Sequence, residues 1–283
     1  MKIQIASDLH MEMSRGPWPR PGTFRSVPDR DLLVLAGDVA GDVGAHRFVW
    51  RELQISPVIY VPGNHEYYGN VVRSEVDVAW KALAAQHPDL HYLVAEGVEI
   101  AGVRFLGGPW YSDFWGRRDE PYLRGVERVI NDFYWPPWNR WRLAEHLAAH
   151  RHQTDLLVEQ AGQVDVVVTH WPPTKGAIHP KFDGDSMNPY FVNDREDLVR
   201  QLGAQVWISG HTHEAYDYRV GRTRCLGNPC GYPGEAARRQ SRLFRPDLVV
   251  EVTPTVLAEP LRALDGDLDG PACGRCVERK HGR

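Results

Sequence analysis

Five short apolar runs of this chain each stop at a cluster of aspartate, asparagine or histidine, and no other feature restricts the fold as tightly. Lys2-Ile3-Gln4-Ile5-Ala6 runs into Asp8-Leu9-His10, and Asp31 to Ala36 runs into Gly37-Asp38. Pro57 to Val61 runs into Gly63-Asn64-His65-Glu66, Asp165 to Val168 into Thr169-His170, and Gln205 to Ser209 into Gly210-His211-Thr212-His213. Near-continuous apolar runs of this length read as strands buried on both faces. Between them, Val71 to Gln86 and Trp138 to Gln163 carry apolar residues at three- and four-residue spacing, the spacing of helices. Strand–helix alternation implies an α/β fold with a largely parallel sheet. Ligands of such folds collect at the carboxyl ends of the strands, which is where all five clusters fall. Gly37, Gly63 and Gly210 permit tight turns and close backbone approach there.

The chemistry of the clusters follows from their donors. Any one motif is weak: Asp8 alone could cap a helix, and His170 alone could be a satisfied core histidine. Together they hold carboxylates, one carboxamide and five imidazoles. A purely structural role would place all of them at buried strand ends, where unpaired polar groups are costly. Mixed oxygen and nitrogen donors suit divalent transition metals better than calcium or magnesium alone. Two metals about 3.5–4 Å apart need one shared ligand, which a carboxylate with two oxygens provides best. Asp38, alone after its strand, is the natural candidate. Asp8 and His10 can both turn toward one metal, and His211 and His213 can reach the pair. Asn64 offers a neutral oxygen and His170 another nitrogen. His65 adjoins a ligand and is not needed as one.

The ordered set Asp8-x-His10, Gly37-Asp38, Gly63-Asn64-His65-Glu66, His170 and Gly210-His211-x-His213 resembles the signature of the calcineurin-like metallophosphoesterase superfamily, with every ligand position filled between residues 8 and 213. The resemblance implies a four-layer α/β/β/α sandwich with mixed sheets and a dinuclear site at the strand ends. It implies one ion held by Asp8, His10, Asp38 and His213, and a second held by Asp38, Asn64, His170 and His211. It further implies in-line attack on phosphorus by a metal-bridging hydroxide, with His65 protonating or orienting the leaving group. Manganese, iron, zinc, cobalt and nickel all suit this donor set. Protein phosphatases of the superfamily follow the second motif with aspartate, arginine and glycine; here the chain reads Gly37-Asp38-Val39-Ala40-Gly41-Asp42, so that phosphate-clamping arginine is missing. The blocks around Trp110, Asn131-Asp132, Asn188-Pro189-Tyr190 and Asn228 to Glu235 resemble a group of small bacterial members.

Other features bear on substrate and setting. A net charge of −4 over 283 residues leaves no general electrostatic footprint for nucleic acid or membrane. The expected substrate is a small phosphodiester or phosphomonoester, nucleotide-like or a cyclic nucleotide. The alternative is a nuclease or nucleic-acid end-processing enzyme using arginines near Arg117 to Arg142 and Arg238 to Arg245. Residues 110 to 141 are rich in tryptophan and tyrosine and read either as an aromatic mini-core or as a cap over the pocket. In the second case Arg117, Arg118 and Arg124 are available for phosphate, and Asn131 and Asp132 either bond the cap to the site or make a turn. His146, His150 and His152 are expected on a solvated helix face. Asn228 and Tyr232 are expected to pack a loop. Residues 91–94 and 98–106 read as a hairpin turning at Glu96-Gly97. The expected organisation is one domain over residues 1–260 and a non-periodic tail over 261–283, where Cys273 and Cys276 lie. With no leader pattern, no membrane-length apolar run and few cysteines, the expected setting is the cytoplasm.

Overall fold

A computed structural model describes residues 1–13, 23–68, 72–134, 141–235 and 244–255. Among these residues the strands run, in chain order, β1 Lys2–Ala6, β2 Leu32–Ala36, β3 Val58–Val61, β4 Leu90–Tyr92, β5 Glu96–Ile100, β6 Val103–Gly108, β7 Val166–Thr169, β8 Val206–Ser209, β9 Tyr216–Val220, β10 Thr223–Gly227 and β11 Val249–Glu251. The helices are α1 His46–Glu52, α2 Arg73–Gln86, α3 Glu120–Val129, α4 Asn131–Tyr134, α5 Leu143–Glu159, α6 Asn188–Phe191 and α7 Glu196–Leu202. One sheet has the order β11-β1-β2-β3-β4, the other β5-β6-β7-β8-β10-β9. Both are mixed: parallel cores are flanked by antiparallel pairs at β1–β11, β5–β6 and β9–β10.

The apolar runs dictate this layering. Ile3, Ile5, Val34, Ala36, Ile59 and Val61 on one face of the first sheet meet Phe105, Val166, Val168, Ile208 and Leu226 of the second. The alternate residues Leu33, Leu35, Val58 and Tyr60 pack outward against Phe48 and Val49 of α1 and Val76 and Trp80 of α2. Likewise Val167, Trp207 and Cys225 pack against Leu157 of α5 and Leu198, Val199 and Leu202 of α7. Every position of β2, β3, β7 and β8 faces a packed layer, so apolar residues are needed at nearly every step there, whereas β5 and β9 keep exposed positions. Full burial of one such aliphatic side chain contributes about 1.5–3 kcal/mol. The result is a four-layer α/β/β/α sandwich.

Register then aligns the functional ends. Ala6 pairs with Leu35 and Ala36 with Val61 in the first sheet, and Val168 with Ile208 in the second. The motifs therefore leave both sheets at one edge. The N–H of Asp8 donates to Gly37 O at 2.9 Å and that of Gly210 to His170 O at 3.0 Å, tying neighbouring ends.

Two expectations need correction. Residues 91–94 and 98–106 do not form a hairpin at Glu96-Gly97. β4 joins β3 in the first sheet, the chain crosses over, and the antiparallel pair is β5 with β6. Its turn is Ala101-Gly102, both at positive φ, as a two-residue hairpin turn requires. His146 and His150 are not on a solvated face: both are buried, while His152 is exposed. The His146 ring stacks on Phe114 with centroids 5.1 Å apart, and His150 Nδ1 meets Tyr111 O at 2.5 Å. α5 begins at Leu143, and its inner face is wide enough to take these rings because the aromatic segment packs over it. That segment forms a small core of its own from Tyr111, Phe114, Tyr122, Val126, Phe133, Trp171 and Tyr190. Trp135, Trp138, Arg238, Cys273, Cys276 and the expected tail lie outside the described residues. No described helix is long and apolar enough to cross a membrane.

Candidate metal centre

The turns that follow β1, β2 and β8 hold their side chains under backbone strain. Asp8, His10, Asp38, His211 and His213 all have φ between 44° and 68°, a region L-residues rarely occupy. Strain of this kind costs of order 1–3 kcal/mol per residue and collects at functional sites. The turns also leave no room for extra atoms. A Cβ on Gly63 would overlap Asp38 Oδ1 and lie 2.7 Å from His170 Nε2.

Strain and close approach bring together two donor groups that share one residue. Asp8, His10, Asp38 and His213 place ligand atoms within 4.8 Å of one another, and so do Asp38, His170 and His211. In the first group His213 Nε2 lies 3.4 Å from Asp8 Oδ1 and 2.9 Å from His10 Nε2. His10 Nε2 is 3.9 Å from Asp38 Oδ2. In the second, His170 Nε2 is 3.3 Å from the same Asp38 oxygen. Asn64 is buried and borders the same cavity as Asp38 and His211. All seven sequence-predicted ligands are thus in or beside the two groups.

Surrounding contacts aim the donors. His170 Nδ1 contacts Ala36 O at 2.8 Å, which leaves Nε2 as its inward nitrogen. His213 Nδ1 lies 2.7 Å from Glu235 Oε2. The Asp8 carboxylate accepts from His211 N–H at 3.0 Å, and Asp38 Oδ1 from His65 N–H at 2.8 Å. Two buried polar atoms then stand without a protein hydrogen-bond partner, Asn64 Oδ1 and His211 Nε2, and His170 Nε2 has the Asp38 carboxylate as its neighbour. Buried polar groups are paired in nearly all folded proteins. Two orphans of ligand type beside a shared carboxylate fit a divalent cation.

Electrostatics points the same way. Burial pushes the Asp38 carboxyl up, but His170, His65 and His10 outweigh it and hold the group well below the usual carboxylate range. Burial lowers His170, yet Asp38 raises it to about 10. His211 is pushed down by its own burial and then by His170. Ligation requires the neutral imidazole, so a proton and a cation compete for His170 Nε2.

His65 stands on the cavity wall between two partners, Glu12 Oε1 at 3.0 Å from Nδ1 and Tyr232 Oη at 3.0 Å from Nε2. Burial lowers its pKa, but Asp38 and Glu12 together raise it to about 9. Glu12, whose carboxyl is held down to about 2 by His10 and His65 against its burial, is one of the residues sequence reasoning missed. Its signal was present: an acid two residues after a ligand, on the turn leaving the same strand. Tyr68, which follows the third motif, and Glu235 were also missed; the latter approaches only through the fold.

The cavity in front of these groups has a volume of about 350 Å³. Its far wall is apolar, from Val129, Ile130, Ile178, Phe182 and Phe191, with Asn131 and Asn188 among the polar lining. Among the described residues no lysine or arginine lines it. Arg117 is held by Asp119 and lies over the Tyr122 ring, and Arg118 donates to the carbonyls of Asp113 and Arg117. Arg124 pairs with Glu120. The structure therefore does not bring these arginines to the site. Asn131 borders the cavity, whereas both Asp132 oxygens are taken by tyrosine hydroxyls. Tyr232, expected to pack a loop, instead sets its ring against His10, His65 and His213 and reaches His65 Nε2 with its hydroxyl.

Comparison with known proteins adds the following. Residues 1–215 match the family of calcineurin-like phosphoesterases. An uncharacterised protein of Acanthamoeba polyphaga mimivirus is 23% identical over 270 residues, covering 82% of this chain and 92% of that protein. The crystal structure of phosphopantetheinyl hydrolase from Mycobacterium tuberculosis superposes with a TM-score of 0.59 at 21% identity, covering 93% of this chain and 98% of the other. A 5'-nucleotidase precursor from Thermus thermophilus gives a TM-score of 0.40 at 14% identity, over 80% of this chain and 48% of that one. At 21% identity, the match to the phosphopantetheinyl hydrolase structure is a likeness of fold.

Proposed function

Since the chain belongs to the calcineurin-like phosphoesterase family, whose members hydrolyse phosphoric esters with divalent metal ions, we propose that it binds two such ions and hydrolyses a small phosphate ester. Asp8, His10, Asp38 and His213 hold one ion in this reading. Asp38, Asn64, His170 and His211 would hold the other, with Asp38 common to both sets. The carrying observation is that two donor groups share Asp38, while Asn64 Oδ1 and His211 Nε2 beside it have no protein hydrogen-bond partner and His170 Nε2 faces the Asp38 carboxylate. When bound, the ions supply Lewis acidity for the phosphoryl oxygens and activate water for in-line attack on phosphorus.

The chain's own residues supply the rest. Glu12 orients the His65 ring by its contact at Nδ1, so that Nε2 faces the cavity. A proton delivered from Nε2 to the leaving oxygen completes cleavage. Tyr232, now at that nitrogen, gives way to the leaving group. The apolar wall of Ile178, Phe182 and Phe191 accommodates an uncharged organic arm on the ester. Lack of a cationic lining among the described residues favours one phosphate on a small molecule over a polyanion. The solved relative named as a phosphopantetheinyl hydrolase supports an ester with an extended arm as the first natural candidate class.

The test is hydrolysis of bis-p-nitrophenyl phosphate and of p-nitrophenyl phosphate by metal-stripped protein resupplied with manganese, iron, zinc, cobalt or nickel. Turnover of either ester that returns with metal, and is absent from Asp38→Ala, is expected. Silence on both esters with every ion, in protein shown to carry metal, overturns the reading.

A further inference from the structure

The hydroxyl of Tyr68 sits between Asn64 and the aromatic segment. It accepts from Asn64 Nδ2 at 3.0 Å and donates to Asp132 Oδ1. The second Asp132 oxygen accepts from Tyr190 Oη at 2.7 Å. Asp132 and Tyr190 are each 2% exposed and Asn64 is 5% exposed, while Tyr68 is half-buried on the cavity wall.

A carboxamide has a donor end and an acceptor end of nearly equal shape, and its surroundings decide which one faces inward. The order of bonds makes that decision here. A carboxylate at position 132 offers acceptors only, so the single proton of Tyr68 is committed to Asp132. The tyrosine oxygen is then free only to accept, and Asn64 must turn its Nδ2 toward it. Asn64 Oδ1 is left as the buried atom without a protein partner. A cation requires that oxygen, because the amide nitrogen has no available lone pair.

We propose that Asp132, acting through Tyr68, is a positioning residue that fixes the Asn64 carboxamide with its carbonyl oxygen presented as a metal ligand. The proposal rests on the reading of Asn64 as a ligand. It makes α4 of the aromatic segment part of the machinery that tunes one metal position and not the other. Among the described residues, Asp8, His10 and His213 make no hydrogen bond to Asn64, Tyr68, Asp132 or Tyr190. Loss of a partner that orients a metal ligand weakens metal binding by about 10–100-fold.

Asp132→Asn tests it with almost no change of shape. The introduced amide can donate to Tyr68, the tyrosine can turn its proton on Asn64 Oδ1, and the Asn64 carboxamide can invert. Metal-stripped protein is titrated with Mn(II), with binding read by calorimetry and by the free-ion paramagnetic resonance signal. Wild-type protein is expected to take up two ions. Asp132→Asn should bind one with unchanged affinity and the other about 10–100-fold more weakly. Tyr68→Phe alone should weaken the same ion, because Asn64 Nδ2 then loses its acceptor, and Asp132→Asn should add nothing further in that background, a coupling that a merely structural role for Asp132 does not produce. Tyr190→Phe, which removes the other donor to Asp132, should titrate as wild type. Two wild-type affinities in Asp132→Asn, loss of both ions together, or losses that add in the double variant would each overturn the proposal alone. A wild-type protein that takes up only one ion overturns the two-ion reading and this proposal with it.

Discussion

Replacing Glu66 with glutamine removes the contact that holds two of the site's turns together. The Glu66 carboxylate is fully buried. Its Oε2 accepts from the N–H of Asp38 at 3.0 Å and of Gly63 at 2.6 Å, and its Oε1 from Val39 N–H at 2.8 Å and Tyr60 Oη at 2.7 Å. One side chain thus joins the turn after β2 to the turn after β3. Burial and then the Asp38 charge push its carboxyl up to about 7, with Tyr60 and the Val39 N–H pulling the other way. A glutamine keeps one oxygen and sets an NH₂ where the other stood. In its cheaper orientation the NH₂ faces Val39 N–H and Tyr60, leaving two buried donors without acceptors. Each costs about 1–3 kcal/mol, and removing a buried carboxylate returns part of that, so a net loss of about 3 kcal/mol is expected. At about 2–4 °C per kcal/mol for a chain of this size, the melting midpoint should fall by about 6–12 °C. Urea unfolding at pH 8 and thermal melting of wild type and Glu66→Gln measure it. A midpoint unchanged within one degree would refute the reasoning.

His146 is fully buried, and burial followed by the His150 charge holds its imidazole down at about 3. The unfolded chain takes up this proton near pH 6.5, so the folded state loses nothing above that pH and loses stability as pH falls toward 3. At pH 4.5 the loss is about 2.7 kcal/mol, and His146→Phe should flatten that part of an acid unfolding curve; an unchanged slope would count against it. Gly63→Ala should fold yet bind almost no metal, because its methyl group enters the space of Asp38 Oδ1 and His170 Nε2; an active variant with full ion content contradicts this. His65→Ala should keep its metal and lose about a hundredfold or more in kcat on an alkyl ester, with a smaller loss on p-nitrophenyl esters, whose leaving group needs less help from an acid. Equal losses on both ester types, or loss of metal, would reassign His65.

The parts of this molecule legible in its sequence are those where one segment carries its own instruction. Burial on both faces demands continuous apolar strands, so the runs ending at Ala6, Ala36 and Val61 announced both the sheets and the edge where ligands gather. The donors on those ends needed no distant information either. What was not legible depends on which segments meet. Glu96-Gly97 looked like a turn locally, but Leu93 packs with the strands of both sheets, and the crossover it anchors carries the chain from one sheet to the other. His146 and His150 looked polar, yet the aromatic segment that covers them is set by packing across α3, α4 and α5. Arg117 and Arg118 looked available for phosphate because nothing in the sequence showed that Asp119 and backbone carbonyls would engage them. Tyr68, Glu12 and Glu235 act on side chains that they reach only in the folded chain.

Metal content of the reconstituted protein, wild type beside Asp38→Asn, tests the central claim most directly. A carboxylate shared by both donor groups predicts two ions per chain in the wild type and loss of both in the variant. A single ion in the wild type, or two ions retained by Asp38→Asn, would contradict it.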